Sequence, residues 1–368
     1  MLKDRAQKTS ALRLCISKRW LPQLEVDVEA ARRTERSRYL LTDIDVLAVA
    51  PSPIGSHSKL VFDCKSGAGE SAIHRAFWLS GVMTKTAASH GFVVLNPKVS
   101  ITRDHRISAA DLGVSLLHEN EFEDLAQGIG GTTKPQEAVT STIEAWERFF
   151  EIGKKYSKLI EYLTFTKANY WMAKDPGEQC RKLVAKLRAV STELDPAKIE
   201  HLAIFADALC LFLLALSELA NRLFLVLLRP NSHDEFSSAL LALLYGGYLN
   251  VEAAQKIRRL TSGAAADETL AIFPELEKFE QLIREVLQAP LQALPASLLS
   301  RELGLSTLMA AGTSRLQTDL CKESPYAPKF VLMAAEYLQR ATRLPPEFGT
   351  HFASAAMALS AGSLLVAV

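Results

Sequence analysis

Nothing in the cysteine content of this chain supports a disulfide framework or a zinc centre. Five cysteines in 368 residues (Cys15, Cys64, Cys180, Cys210 and Cys321) include no CxxC pair and no zinc-like spacing, a pattern that suits a reducing cytosol. Net charge is equally scarce. Against 41 acidic residues stand 42 lysines and arginines, leaving +1, which argues against a polybasic nucleic-acid binder but excludes no local basic groove. The histidines show no metal-ligand spacing, and no fixed-period repeat points to a solenoid. The opening residues, Met1-Leu2-Lys3-Asp4-Arg5, carry no apolar signal core.

Long uncharged hydrophobic runs are missing too. Residues 202–228 are rich in Leu, Phe and Ala, yet Asp207, Glu218 and Arg222 interrupt them. The longest uncharged piece falls well short of the roughly 20 residues a membrane span requires. Residues 352–368 are uncharged but short, and heavy in Ala, Ser and Gly. Both stretches read as buried helices, so a soluble, cytoplasmic protein with no membrane partner is expected.

What is present is an ordinary globular composition, 48% apolar and 23% charged, in a chain long enough for two domains. The character changes near residue 130, at Gln127-Gly128-Ile129-Gly130-Gly131-Thr132-Thr133-Lys134-Pro135, a glycine- and threonine-rich stretch closed by proline. Residues 1–130 read as an α/β domain with an αβββαβ core, and residues 135–368 as a largely self-contained all-α domain.

Within the first part, residues 4–19 fit a surface helix by length, or a strand by the alternation of Leu12, Leu14 and Ile16; Pro22 stops either. Leu24, Val26, Val28 and Ala30 alternate with Glu25, Asp27 and Glu29, the signature of a half-solvated strand. Strands follow at 39–50 and 60–65, a helix at 71–89 and an apolar strand at 92–95. A helix–strand–helix piece at 108–112, 114–117 and 121–126 completes the layer.

The chemistry concentrates on two of these strands. Asp63-Cys64-Lys65 ends the apolar run Leu60-Val61-Phe62, and Asp45 lies in the run before it. Burying an unpaired carboxylate is costly, so two acids and a lysine on neighbouring central strands suggest a divalent-metal site with the lysine facing an anion. Of all the lysines, only Lys65 has an acidic residue two positions before it. Period two puts Asp63 and Lys65 on one side and Cys64 on the other. Asp43 and Asp45 likewise share a face, and a hairpin can bring one of them beside Asp63. The competing structural reading is an ion pair between Asp63 and Lys65 on a sheet edge, which leaves Asp45 unexplained.

This arrangement resembles the PD-(D/E)xK nuclease superfamily and, within it, the Mrr-type restriction endonucleases. The resemblance covers residues 1 to about 127 and includes the order of elements. Thr42-Asp43-Ile44-Asp45-Val46-Leu47-Ala48 is similar to the family's metal-binding strand, and Val61-Phe62-Asp63-Cys64-Lys65 to its catalytic strand. The family's first-helix glutamate has no counterpart beyond Asp4, and its proline before the first acid is absent. The resemblance implies a restriction-endonuclease-like fold and an endonuclease hydrolysing phosphodiester bonds of DNA, in restriction or defence. It implies Asp45, Asp63 and Lys65 as catalytic residues. Asp45, Asp63 and the Cys64 backbone carbonyl would hold Mg²⁺ or Mn²⁺, and Lys65 would orient the attacking water.

Several neighbours have two readings each. Arg32, Arg33, Arg36 and Arg38 contact phosphates or are a solvated turn. His74 and Arg75 contact nucleic acid or pack. Ser66-Gly67-Ala68-Gly69-Glu70 lets a phosphate approach or is simply a flexible turn. Cys64 reads as a small core residue, since no histidine partner is apparent. The helical part would serve recognition, homo-oligomer assembly or a protein partner. The alternative from another class is a catalytically inactive nuclease fold acting as a nucleic-acid-binding or scaffold module.

Overall fold

The computed structural model describes residues 2–30, 38–52, 56–173, 175–228, 232–262 and 273–365. Its first part runs α1 (Arg5–Ser17), β1 (Leu21–Glu29), β2 (Leu40–Ala50), β3 (Ser58–Lys65), α2 (Ala72–Thr86), β4 (His90–Leu95), α3 (Arg103–Asp111), β5 (Val114–His118) and α4 (Phe122–Gly128). The strands form one sheet in the order β1-β2-β3-β4-β5. The first three pair antiparallel, and β4 and β5 join parallel to β3. The expected α/β layer is therefore present, as a mixed five-stranded sheet. β3 lies at its centre rather than at an edge, so the Asp63–Lys65 ion pair, which is present, is not an edge feature.

The ambiguous first segment is a helix. Lys8, Leu12 and Cys15, at helical spacing, are all buried, and Leu14 and Ile16, which gave the strand-like alternation, are buried as well. Pro22 does not merely end that helix: it lies inside β1, opposite Ala48, where an edge strand tolerates the missing N–H.

The polar side of β1 departs from the half-solvated expectation. Glu25 pairs with Lys8, Asp27 with Lys167 at 2.9 Å, and Glu29, only 5% exposed, with Arg38 and Asn169. Elements before and after β1 cover this side. Alternation alone cannot distinguish water from a polar neighbour as the cover.

The rest is helical, as expected: α5 (Ile143–Lys155), α6 (Ile160–Lys167), α7 (Pro176–Ala189), α8 (Ile199–Val226), α9 (His233–Tyr245), α10 (Tyr248–Ser262), α11 (Leu276–Val286), α12 (Ala293–Met309), α13 (Arg315–Glu323), α14 (Ala327–Thr342) and α15 (Pro346–Leu365). Among the described residues α8 is the one helix long and apolar enough to cross a membrane, and 94% of its most apolar 18-residue window is buried inside the protein. It packs most extensively on α12. Gly304 permits the approach, because a Cβ there would sit 2.4 Å from that of Ala206. All five cysteines are buried and free.

One hydrophobic core runs through both parts, and polar contacts tie them. Arg301 Nη1 donates to Gln23 Oε1 at 2.8 Å, the Leu2 amide donates to Glu147 at 2.8 Å, and Arg19 pairs with Glu323 at 2.7 Å. The 127–135 segment is also tied down: the Thr132 and Thr133 hydroxyls donate to the Glu123 carboxylate, and Gln136 Nε2 donates to the Arg13 carbonyl at 2.7 Å.

A buried histidine at this junction gives the fold a pH dependence. His57 is 7% exposed. Its Nδ1 accepts from the Ser52 amide at 3.1 Å, so Nε2 carries the proton and donates to Ser217 Oγ at 2.6 Å. Burial pushes its pKa down to about 4. The unfolded chain, with a histidine pKa near 6.5, binds the proton more readily, so acid favours unfolding. The contribution is complete above about pH 6.5 and is lost as pH falls to about 4, a difference of about 3 kcal/mol. Urea denaturation at pH 7 and pH 4 should show this loss in the wild type and its absence in His57→Gln. Equal losses in the two proteins would remove His57 as the cause.

Candidate active site

The site forms where β2 and β3 run side by side. Asp45 and Asp63 are 5% and 1% exposed. Lys65 Nζ lies 3.2 Å from Asp45 Oδ2 and 3.2 Å from Asp63 Oδ1, so the two carboxylates share one ammonium. The hairpin register explains why. Val46 pairs with Phe62, which sets Asp45 level with Asp63 on one face, while Asp43 lies opposite Asp27 on β1. Phe62 stacks on Phe92, with ring centroids 4.7 Å apart, on the other face. Cys64 points into that face as expected; burial pushes its thiol well above the ordinary range, and the adjacent carboxylates add to the effect. It is not poised as a nucleophile.

Three further groups complete the cluster. Lys8, 3% exposed on α1, lies 2.8 Å from Asp45 Oδ1 and also pairs with Glu25. Glu25 has φ +55°, a left-handed conformation uncommon outside glycine and rare within a strand. Arg75 binds Asp63 with both arms, its Nε donating to Oδ2 at 2.7 Å and its Nη2 to Oδ1. Three buried or half-buried acids thus face three bases. Burial raises Asp63 above the usual carboxylate range, with Arg75 and Lys65 pulling against it. For Lys65, burial opposes the charge, but Asp63 and Asp45 overcome it and the net shift is upward.

The sequence pattern brought together Asp45, Asp63, Lys65 and Cys64, and they do meet. It did not find Lys8 or Glu25. Arg75, read as a contact to nucleic acid, instead grips Asp63. Arg38 is engaged by Glu29 and Asp27 on β1 and by Thr164 at 3.3 Å. His74 is exposed on α2. Arg32, Arg33 and Arg36 lie outside the described residues. Asp4, the acid of the first segment, holds the turn after β3: its Oδ1 accepts from the Ser66 amide at 2.8 Å and from Ser66 Oγ at 2.6 Å.

The donor set suits a hard divalent cation. Asp45 and Asp63 offer carboxylate oxygens. The Cys64 amide donates to Asp45 Oδ2 at 2.8 Å, and a strand residue points its N–H and C=O to the same side, which turns the Cys64 carbonyl toward β2. Glu25, Asp43 and Asp45 carboxylate oxygens also lie within 4.8 Å of one another, and Lys8 pairs with two of the three, Glu25 and Asp45.

Comparison with family models, with curated proteins and with solved structures finds no match to this chain.

Proposed function

We propose that the chain is a metal-dependent endonuclease acting on DNA, and that its N-terminal part is a restriction-endonuclease-like core. The observation that carries this reading is the pair of buried carboxylates on adjacent central strands, bridged by the ammonium of Lys65. The αβββαβ order that the resemblance requires is compatible with the described elements. Asp45, Asp63 and the Cys64 carbonyl would hold Mg²⁺ or Mn²⁺. That ion would supply a Lewis acid and lower the pKa of a bound water. Lys65, fixed between the two acids, stabilises negative charge developing on the scissile phosphate. Lys8 pairs with Oδ1 of Asp45, leaving Oδ2 turned toward Lys65 and the Cys64 amide.

Incubation with plasmid, linear duplex and single-stranded DNA, and with RNA, in Mg²⁺ or excess chelator, tests the reading. Chelator-sensitive cleavage of DNA is expected. The balance of three acids by three bases favours one competing reading, an inactive nuclease fold that binds or scaffolds nucleic acid. Chelator-insensitive binding of duplex DNA without any cleavage would select it over the nuclease.

A further inference from the structure

We propose that Arg75 is a built-in competitor for the metal, occupying both oxygens of Asp63 until a nucleic-acid phosphate draws it away. The inference rests on the nuclease reading above. A carboxylate that accepts from both arms of one guanidinium has its favoured lone pairs engaged, and the fork geometry makes this stronger than a single ammonium contact. Lys65 touches only one oxygen of Asp63 and divides itself between two acids at 3.2 Å each. Arg75 is the tighter closure.

The side chain is also held from behind. Its guanidinium carbon lies 4.1 Å from the centre of the Trp78 ring, and positions three apart share a helix face. Yet Arg75 is not entombed, for its side chain is 19% exposed. The same fork that fits a carboxylate fits a phosphodiester.

Charge explains why release would be coupled to substrate. Glu25, Asp45 and Asp63 are matched by Lys8, Lys65 and Arg75. A divalent cation that takes the place of Arg75 on Asp63 frees the guanidinium, and an entering phosphodiester then pairs with its fork. Metal and nucleic acid therefore favour each other's entry, and the coupling must be reciprocal.

The test uses the full chain and Mn²⁺ without nucleic acid, followed by calorimetry. Arg75→Met should bind Mn²⁺ between about tenfold and a hundredfold more tightly than the wild type, the range expected when a charge-assisted pair no longer competes. Arg75→Lys, which keeps the charge but loses the fork, should fall between them, and it serves if the methionine variant folds poorly. In the wild type, Mn²⁺ with a duplex oligonucleotide should change tryptophan emission beyond the change with Mn²⁺ alone, as the guanidinium leaves Trp78, and Trp78→Phe should abolish that excess. Equal Mn²⁺ affinities in wild type and both variants would overturn the competitor role while leaving the metal site standing. No Mn²⁺ binding by any of the three folded proteins would overturn the metal site itself, and this inference with it.

Discussion

Replacing Lys65 by alanine is expected to lower Mg²⁺-dependent cleavage by roughly 10²- to 10³-fold, the range for removing one preorganised group that meets developing charge. The fold should survive, for reasons visible at the site. Without Lys65, Asp45 keeps Lys8 and the Cys64 amide, and Asp63 keeps Arg75, so neither buried acid is stranded. Lys65 itself is a quarter exposed. Because its effect falls on the transition state rather than on binding, kcat and kcat/KM should drop together. Asp45→Asn and Asp63→Asn should also abolish cleavage, but by weakening metal binding. The two mechanisms separate by calorimetry: Lys65→Ala retains Mn²⁺ binding and the asparagine variants lose it. Wild-type turnover in Lys65→Ala would refute the role given to the lysine.

How far the sequence revealed this site depends on which interactions are local. Asp63 and Lys65 are two residues apart on one strand, and Asp45 reaches them through a hairpin, so period two and a short connection suffice. The strand-like runs were legible for the same reason, as was α8, whose apolar circumference marks it for burial. Lys8 and Glu25 escaped because their meeting is set by how α1 lies across the sheet and by the positive φ of Glu25, neither of which leaves a pattern along the chain. Arg75 was noticed as a contact to nucleic acid or a packing residue, but its pairing with Asp63 was not foreseen: a basic residue near the start of a helix looks the same whether it faces a phosphate or a carboxylate. The polar alternation of β1 misled in the same way, since charged residues of the opposite sign cover it in place of solvent.

The largest structural effect is expected at Asp207, where α8 meets α12. Its carboxylate lies 2.9 Å from Arg301 Nη2, and both side chains are almost wholly buried. Burial raises the Asp207 pKa, and Arg301 opposes the rise. Arg301 in turn reaches β1 through Gln23 and lies over the Trp146 ring at 5.1 Å. Asp207→Ala would leave a buried guanidinium with a neutral amide and an aromatic face as its partners, a loss of about 3–5 kcal/mol. Removing both charges together, in Asp207→Leu with Arg301→Met, should cost much less than the single change, because no uncompensated charge remains. Chemical denaturation of the full chain measures both. A single variant within about 1 kcal/mol of wild type would mean that water reaches Arg301 and that the pair does not hold the helices to the sheet. A loss of the expected size that the double variant largely recovers would show that its source is the stranded guanidinium. Gln23 also shares a face of β1 with Glu25, so this pair braces the strand that brings Glu25 to Lys8 and Asp45.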